Sequence, residues 1–251
     1  MNKSQFEESE FPYEVLSQFG LTSEMIEDLP TRVINDIKDG RRTPVLPVRI
    51  FDEDGNDIKS RARFALVRKE DNTVDVLFYP ELLKADLSKF DDKQKDLLLS
   101  GKSIIATVED KDGQTITSFV QIDRETNQVL SASVQMIARN LQTISDQIGL
   151  SAVEQTSLQK GEVVTFSKDD EYPISVGIDL NDRTGLRFTP GDENQWRDQN
   201  KREWDKYTFG AFGCWVVDDN GQFDYVAEDD YTEELWNEQK KQGMKAMQHA
   251  R

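Results

Sequence analysis

Three glycines, Gly40, Gly101 and Gly161, lie 61 and 60 residues apart, and each stands where a helical spacing of apolar residues gives way to strand-like alternation. An aliphatic residue precedes each glycine by three positions: Ile37, Leu98 and Leu158. Glycine in that place suits a left-handed C-terminal helix cap, a backbone conformation that strains any residue with a Cβ. Ten residues before the second and third glycines stand Asp91 and Ser151, followed three positions later by Gln94 and Glu154. Both pairs are capping boxes, which mark helix starts. The first copy has Pro30 there instead, so its helix is expected to be capped by Asp28 with Pro30 in the first turn.

After each glycine the pattern predicts a three-stranded antiparallel meander with polar turns. The first covers 45–51, 58–68 and 74–79, the second 103–109, 114–122 and 128–133, and the third 163–167, 173–178 and 185–189. The fold class is therefore α+β: three tandem αβββ units, followed by a C-terminal hairpin and helix. The boundaries fall at 1–79, with an N-terminal helix from Pro12 to Gly20, then at 80–133, 134–190 and 191–251. Ile137, Leu141, Ile144 and Ile148 place one apolar stripe on a helix of about 15 residues, a spacing typical of a face packed on a sheet. A short charged helix is expected over 196–206, a hairpin over 209–217 and 222–227, and a last helix over 231–242 stopped by Gly243. A unit of about 60 residues buries a marginal core, so neighbouring units are expected to pack together.

Lys and Arg total 31 against 48 Asp and Glu, a net charge of −17. That balance argues against direct binding of duplex DNA and favours basic partners or solubility. No apolar run reaches the length of a membrane helix. A single cysteine, Cys214, forms no internal disulfide, and the expected location is the cytoplasm.

The chemical motifs dissolve on inspection. Ser100-Gly101-Lys102-Ser103 ends like a phosphate loop, but Asp96 stands where that loop needs its first glycine, and the segment closes a helix rather than opening one. Residues 52–57 have the composition of a calcium loop with the glycine misplaced, and read as a hairpin turn. The single histidine, His249, is two residues from the C-terminus, which leaves no triad and no His–Cys zinc set. No catalytic residue, metal or cofactor is assigned.

Two clusters stand out as partner-binding candidates. Lys59, Arg61 and Arg63 alternate along one face of the second strand, with Arg49 on the neighbouring strand and Arg41 and Arg42 just before it. Like charges crowded on a sheet face require neutralisation, either by an acidic partner or nucleic acid or by the chain's own carboxylates. Residues 207–239 carry nine acids and no Lys or Arg, and all four tryptophans fall between Trp196 and Trp236. Trp215, Asp229, Asp230 and Tyr231 are the candidates there, either as docking anchors or as parts of an aromatic core with a solvated acidic rim.

Thr43-Pro44-Val45-Leu46-Pro47, the runs 60–68, 74–79 and 119–123, Glu203-Trp204-Asp205-Lys206-Tyr207, Gly213-Cys214-Trp215 and 233–237 together resemble an uncharacterised group of Bacteroidales proteins that carry domains of unknown function and are encoded on conjugative and other mobile elements. The resemblance implies an accessory protein of such an element and supplies no activity. The expected function is a non-enzymatic interaction or scaffold protein with a protein or nucleoprotein partner. The alternatives are an acidic DNA mimic that antagonises a host restriction or defence nuclease, and an enzyme without a recognisable motif.

Overall fold

The computed structural model describes residues 4–51, 54–109, 113–167, 172–182, 184–198 and 204–249. Three short helices come first: α1 (Tyr13–Gln18), α2 (Ser23–Glu27) and α3 (Thr31–Lys38). Strands β1 (Leu46–Phe51), β2 (Asp57–Arg68) and β3 (Val74–Pro80) follow. Helix α4 (Asp92–Leu99) leads into β4 (Ile104–Glu109), β5 (Thr115–Ile122) and β6 (Val129–Ser133). Helices α5 (Val134–Ile148) and α6 (Ala152–Gln159) precede β7 (Val164–Phe166), β8 (Ile174–Ile178) and β9 (Leu186–Pro190). Then come α7 (Glu193–Asp198), β10 (Tyr207–Phe209), β11 (Gly213–Val217), β12 (Phe223–Ala227) and α8 (Glu233–His249). Each trio of strands forms its own antiparallel sheet in chain order, giving four three-stranded sheets. The nine strands of the first three sheets begin and end within one residue of the sequence reading. The turns expected at 52–57, 110–113 and 168–172 lie partly outside the described residues.

The three glycines perform the same local chemistry. Gly40, Gly101 and Gly161 have φ of 69°, 82° and 83°. Each donates its N–H to the carbonyl three residues back, that of Ile37, Leu98 or Leu158, at 2.9 Å. The next residue donates to the carbonyl five back: Arg41 to Asp36, Lys102 to Leu97 and Glu162 to Ser157. This paired pattern satisfies the carbonyls a helix end leaves open. Ile37, Leu98 and Leu158 are all buried, so each stop also pins an aliphatic side chain into a core. The capping boxes of α4 and α6 are both formed, Asp91 with Gln94 and Ser151 with Glu154.

Helix α3 departs from expectation. Pro30 is its N-cap residue, with no side-chain cap bond. Asp28 instead ends α2 and is buried, because its carboxylate is committed to a distant part of the chain.

The chain divides into two compact units, residues 1–80 with 203–251, and residues 81–202. In the second, β5 and β6 contribute Phe119 and Leu130 to a core that also holds Leu158, Val164, Val176 and Leu186 of the next repeat, with Ile137 and Leu141 of α5. A smaller cluster under α4 joins Phe90 and Leu98 to Ile104, Val120 and Ile122. Here neighbouring repeats pack together, as expected. The first repeat does otherwise within its unit: Leu16, Ile26, Val33, Ile37, Leu46 and Phe64 share one core with Trp215, Val217 and Phe223 from the far end of the chain.

That closure rests on Asp28. Its carboxylate accepts from the backbone N–H of Ala211 (2.6 Å), the N–H of Phe212 (3.0 Å) and the hydroxyl of Tyr225 (2.7 Å). Trp215 Nε1 donates to the Met25 carbonyl beside it at 2.8 Å. A Cβ on Gly210 would stand 1.9 Å from Asp28 Oδ1, and one on Gly213 would stand 2.5 Å from the Tyr225 ring, so both places require glycine.

Gly210–Gly213 also explains a second departure. The stretch 209–217, expected as one strand, is broken into β10 and β11 by the turn that meets Asp28, so the hairpin is a full meander. The charged helix expected over 196–206 is α7, which begins earlier, at Glu193, and ends at Asp198; residues 199–203 lie outside the described residues. Helix α8 runs through Gly243, which costs about 1 kcal/mol relative to alanine without ending a helix.

Asp28→Ala leaves two amides and a hydroxyl without their buried acceptor, and the expected loss of stability in urea denaturation is about 3 kcal/mol or more. Tyr225→Phe removes one of the three bonds and is expected to cost about 1–2 kcal/mol. Equal midpoints for wild type and Asp28→Ala would show that this carboxylate does not hold the chain ends together.

Candidate functional site

The distal half of the β1–β2 hairpin runs beyond the core. Arg49, Ile50 and Phe51 on β1 and Asp57, Ile58 and Lys59 on β2 are all exposed. The register places Ile50 opposite Ile58 and Arg49 opposite Lys59. By the two-residue period of a strand, the isoleucines extend the face that holds Leu46 and Val48, and the cations lie on the other face. Two like charges directly opposite one another are unfavourable. Arg49 finds partial relief at Asp57, 3.8 Å away, and Lys59 has no ion pair among the described residues. Phe51 is 61% exposed and Ile58 47%, an apolar tip on a ribbon that makes little use of it internally.

Beside the cations lies a groove of about 630 Å³ within the first unit. Arg49, Lys59, Ser60 and Arg61 line it from the sheet, Thr22 and Met25 from the start of the chain, and Asp224, Tyr225 and Asp230 from the far end. Gly20, with φ of 77°, lets the Arg49 stem lie against the backbone: an added Cβ would stand 3.1 Å from Arg49 Cγ. Arg61 spans the floor, donating through Nη2 to the Phe223 carbonyl (2.6 Å) and through Nη1 to Asp224 (3.3 Å). Its Nε is buried and meets no acceptor.

The structure thus brings four of the sequence candidates, Arg49, Lys59, Arg61 and Asp230, to one groove and sends the others elsewhere. Arg41 pairs with Asp36 at 3.2 Å, and the Arg42 guanidinium stacks 4.2 Å above the Tyr79 ring. Arg63 is buried and donates to the Thr43 carbonyl at 2.9 Å. Trp215 has no exposed surface and belongs to the core. Asp229 is exposed in a one-turn 3-10 helix over 228–230. Tyr231 is half-buried, edge-on to Phe209 and Trp236 at 5.9 and 5.1 Å. Part of the basic ridge is therefore neutralised from within, Arg61 by the acidic segment itself, while Arg49 and Lys59 remain presented to solvent. Tyr225, Thr22 and the apolar tip were missed. Ile50, Phe51 and Ile58 read as ordinary strand residues, and nothing local marks where the core ends beneath a strand.

Among the described residues no group of three or more His, Cys, Asp or Glu side chains could hold a metal ion, and no helix is long and apolar enough to cross a membrane.

The basic half of the groove and the exposed hairpin fall within residues 6–89, which match the family model described as "Protein of unknown function (DUF4099)". The chain therefore carries a DUF4099 domain of unknown function, and the acidic half of the groove comes from outside it. No curated protein and no solved structure matches the chain.

Burial favours the neutral forms of Cys214, Tyr225 and Tyr231 behind the groove. Desolvation pushes the Cys214 thiol up to about 11 and the Tyr231 hydroxyl up to about 12. Tyr225 is pushed up as well, by burial and by its bond to Asp28. Each group keeps its proton in the folded state at a pH where the unfolded chain has lost it. Its contribution to stability is therefore complete below its ordinary value, 9.0 for the thiol and 10.0 for the phenols, and is lost as pH rises through the raised values. The melting temperature is expected to hold steady to about pH 8.5 and to fall above it. Iodoacetamide at neutral pH is expected to label Cys214 in denaturant and to leave it unmodified in the native protein.

Proposed function

We propose that the chain is a non-enzymatic interaction protein whose first unit docks an extended acidic and apolar segment of a protein or nucleoprotein partner. The observation that carries the reading is that one hairpin presents two solvent-exposed cations lining the groove, Arg49 and Lys59, together with the exposed apolar residues Ile50, Phe51 and Ile58, Phe51 on the cations' face and the isoleucines on the other. A two-stranded ribbon exposed on both faces is marginal by itself, and partner contact supplies the burial it lacks. The chain's net charge of −17 keeps other acidic molecules at a distance, so the local positive surface selects for a segment that also matches the apolar tip. The resemblance to proteins of Bacteroidales mobile elements supports a partner encoded by such an element, with this chain as its accessory.

Affinity capture from the native host with wild type, Arg49→Glu/Lys59→Glu and Ile58→Asp tests the reading, followed by titration with the purified partner. All three positions are exposed, so the variants are expected to keep the wild-type melting temperature. Their affinity is expected to fall about tenfold or more, the usual scale for losing an interfacial anchor. Binding should also weaken between low and physiological salt, as exposed charge contacts do. A partner held equally well by all three proteins would refute the groove as its docking site.

A further inference from the structure

The second unit contains a cavity of about 470 Å³ at the place where the glycine stops of α4 and α6 meet. The two stops touch: a Cβ on Gly161 would stand 3.0 Å from Ser103 Oγ and 3.5 Å from the Ser103 carbonyl. Lys102, just after the first stop, and Lys160, the C-cap residue of α6, both line the cavity. Both are exposed, and neither has an ion pair among the described residues, in a chain where acids outnumber bases 48 to 31.

The polar groups around them are mostly donors. Gln121 also lines the cavity, and its Oε1 already accepts from the Leu180 N–H at 2.9 Å, which leaves its amide N–H groups. Ser103 supplies a hydroxyl. Of the two lining carboxylates, Glu193 is held by Arg197 at 2.9 Å, so Glu162 is the acid that opposes the lysines. Leu97, Val163 and Ile178 give the cavity an apolar portion. A lysine near a helix C-terminus is favourable in its own right. That explains one lysine at each stop, but not two of them sharing a concavity with further donors and a volume in the range of metabolite sites.

We propose that this cavity binds a phosphorylated small molecule, its phosphate between Lys102 and Lys160 and its body against Leu97, Val163 and Ile178. A phosphomonoester carries nearly two negative charges at pH 7, which matches the two lysines, and its oxygens are acceptors for the serine and glutamine donors. The site owes nothing to a phosphate loop. The backbone N–H groups of Gly101 and Lys102 are already bound to Leu98 and Leu97, so the donors are side chains.

Calorimetric titration of the full chain with adenosine monophosphate and with inorganic pyrophosphate, at low salt, tests the assignment. Saturable binding of either probe is expected at about millimolar concentration or below. Lys102→Met/Lys160→Met is expected to weaken it about tenfold or more, whereas Lys102→Arg/Lys160→Arg keeps it. Glu162→Gln removes the opposing charge and is expected to tighten binding about two- to fivefold. These positions are exposed, so near-ultraviolet circular dichroism should be the same for every variant. Absence of saturable binding by both probes, or equal binding by wild type and Lys102→Met/Lys160→Met, would overturn the site.

Discussion

A buried carboxylate with three donors holds the first unit closed. Asp28 reaches across more than 180 positions of sequence to the amides of Ala211 and Phe212 and to the Tyr225 hydroxyl. A carboxylate moved out of water without partners costs several kcal/mol, and one fully hydrogen-bonded returns most of that as fixed geometry. The geometry is narrow because Gly210 and Gly213 admit the backbone so near to Asp28 and Tyr225 that no larger residue fits. Once that turn is seated, Trp215 and Phe223 fall into the same core as Leu16, Ile26 and Phe64. The groove is a consequence: Asp224 and Tyr225 reach the side of Arg61 because Asp28 has fixed the strand that carries them.

The glycine stop is the repeated device. A left-handed glycine ends each helix, its neighbour's amide closes the cap, and the aliphatic residue three positions back anchors the helix in a core. Because the stop satisfies its own backbone, the side chains that follow are free of structural duty. The three copies use that freedom differently. Arg41 after Gly40 pairs with Asp36, whereas Lys102 after Gly101 lines a cavity and has no ion pair among the described residues. One cap geometry thus leaves the following side chain in an ion pair in one repeat and at a cavity wall in another.

Local physics made the repeats legible. Capping boxes, the glycine stops and the switch from helical to alternating spacing all act within about ten residues, and they located nine strands almost to the residue. What stayed hidden depends on distance along the chain. The partnership of Asp28 with residues 211–225 leaves no local signature, so Asp28 read as a helix cap and 209–217 as one strand. Trp215 stayed open between docking anchor and aromatic core, because a tryptophan among acids looks the same whether it faces in or out until the packing is known. The basic strand was visible as a ridge, but which cations the fold neutralises was not: Arg61 meets Asp224 and Phe223, while Lys59 two positions earlier has no ion pair among the described residues.

Charge excess gives that last distinction its meaning. In a chain with a surplus of carboxylates, an arginine or lysine finds an acid by default, as Arg41, Arg68 and Arg187 do. Unpaired lysines on a convex surface are ordinary, since solvation there is nearly as good as an ion pair. In a concavity the balance shifts, because neighbouring protein displaces water and strengthens the repulsion between like charges. Lys59 beside Arg49, and Lys102 with Lys160, occupy such places, and of the four only Arg49 has an ion pair among the described residues, with Asp57 at 3.8 Å. An anionic group brought in from outside would lower both energies, and under the two proposals the sites differ in what surrounds it: an apolar hairpin for a polypeptide in the first unit, a concavity for a small molecule in the second.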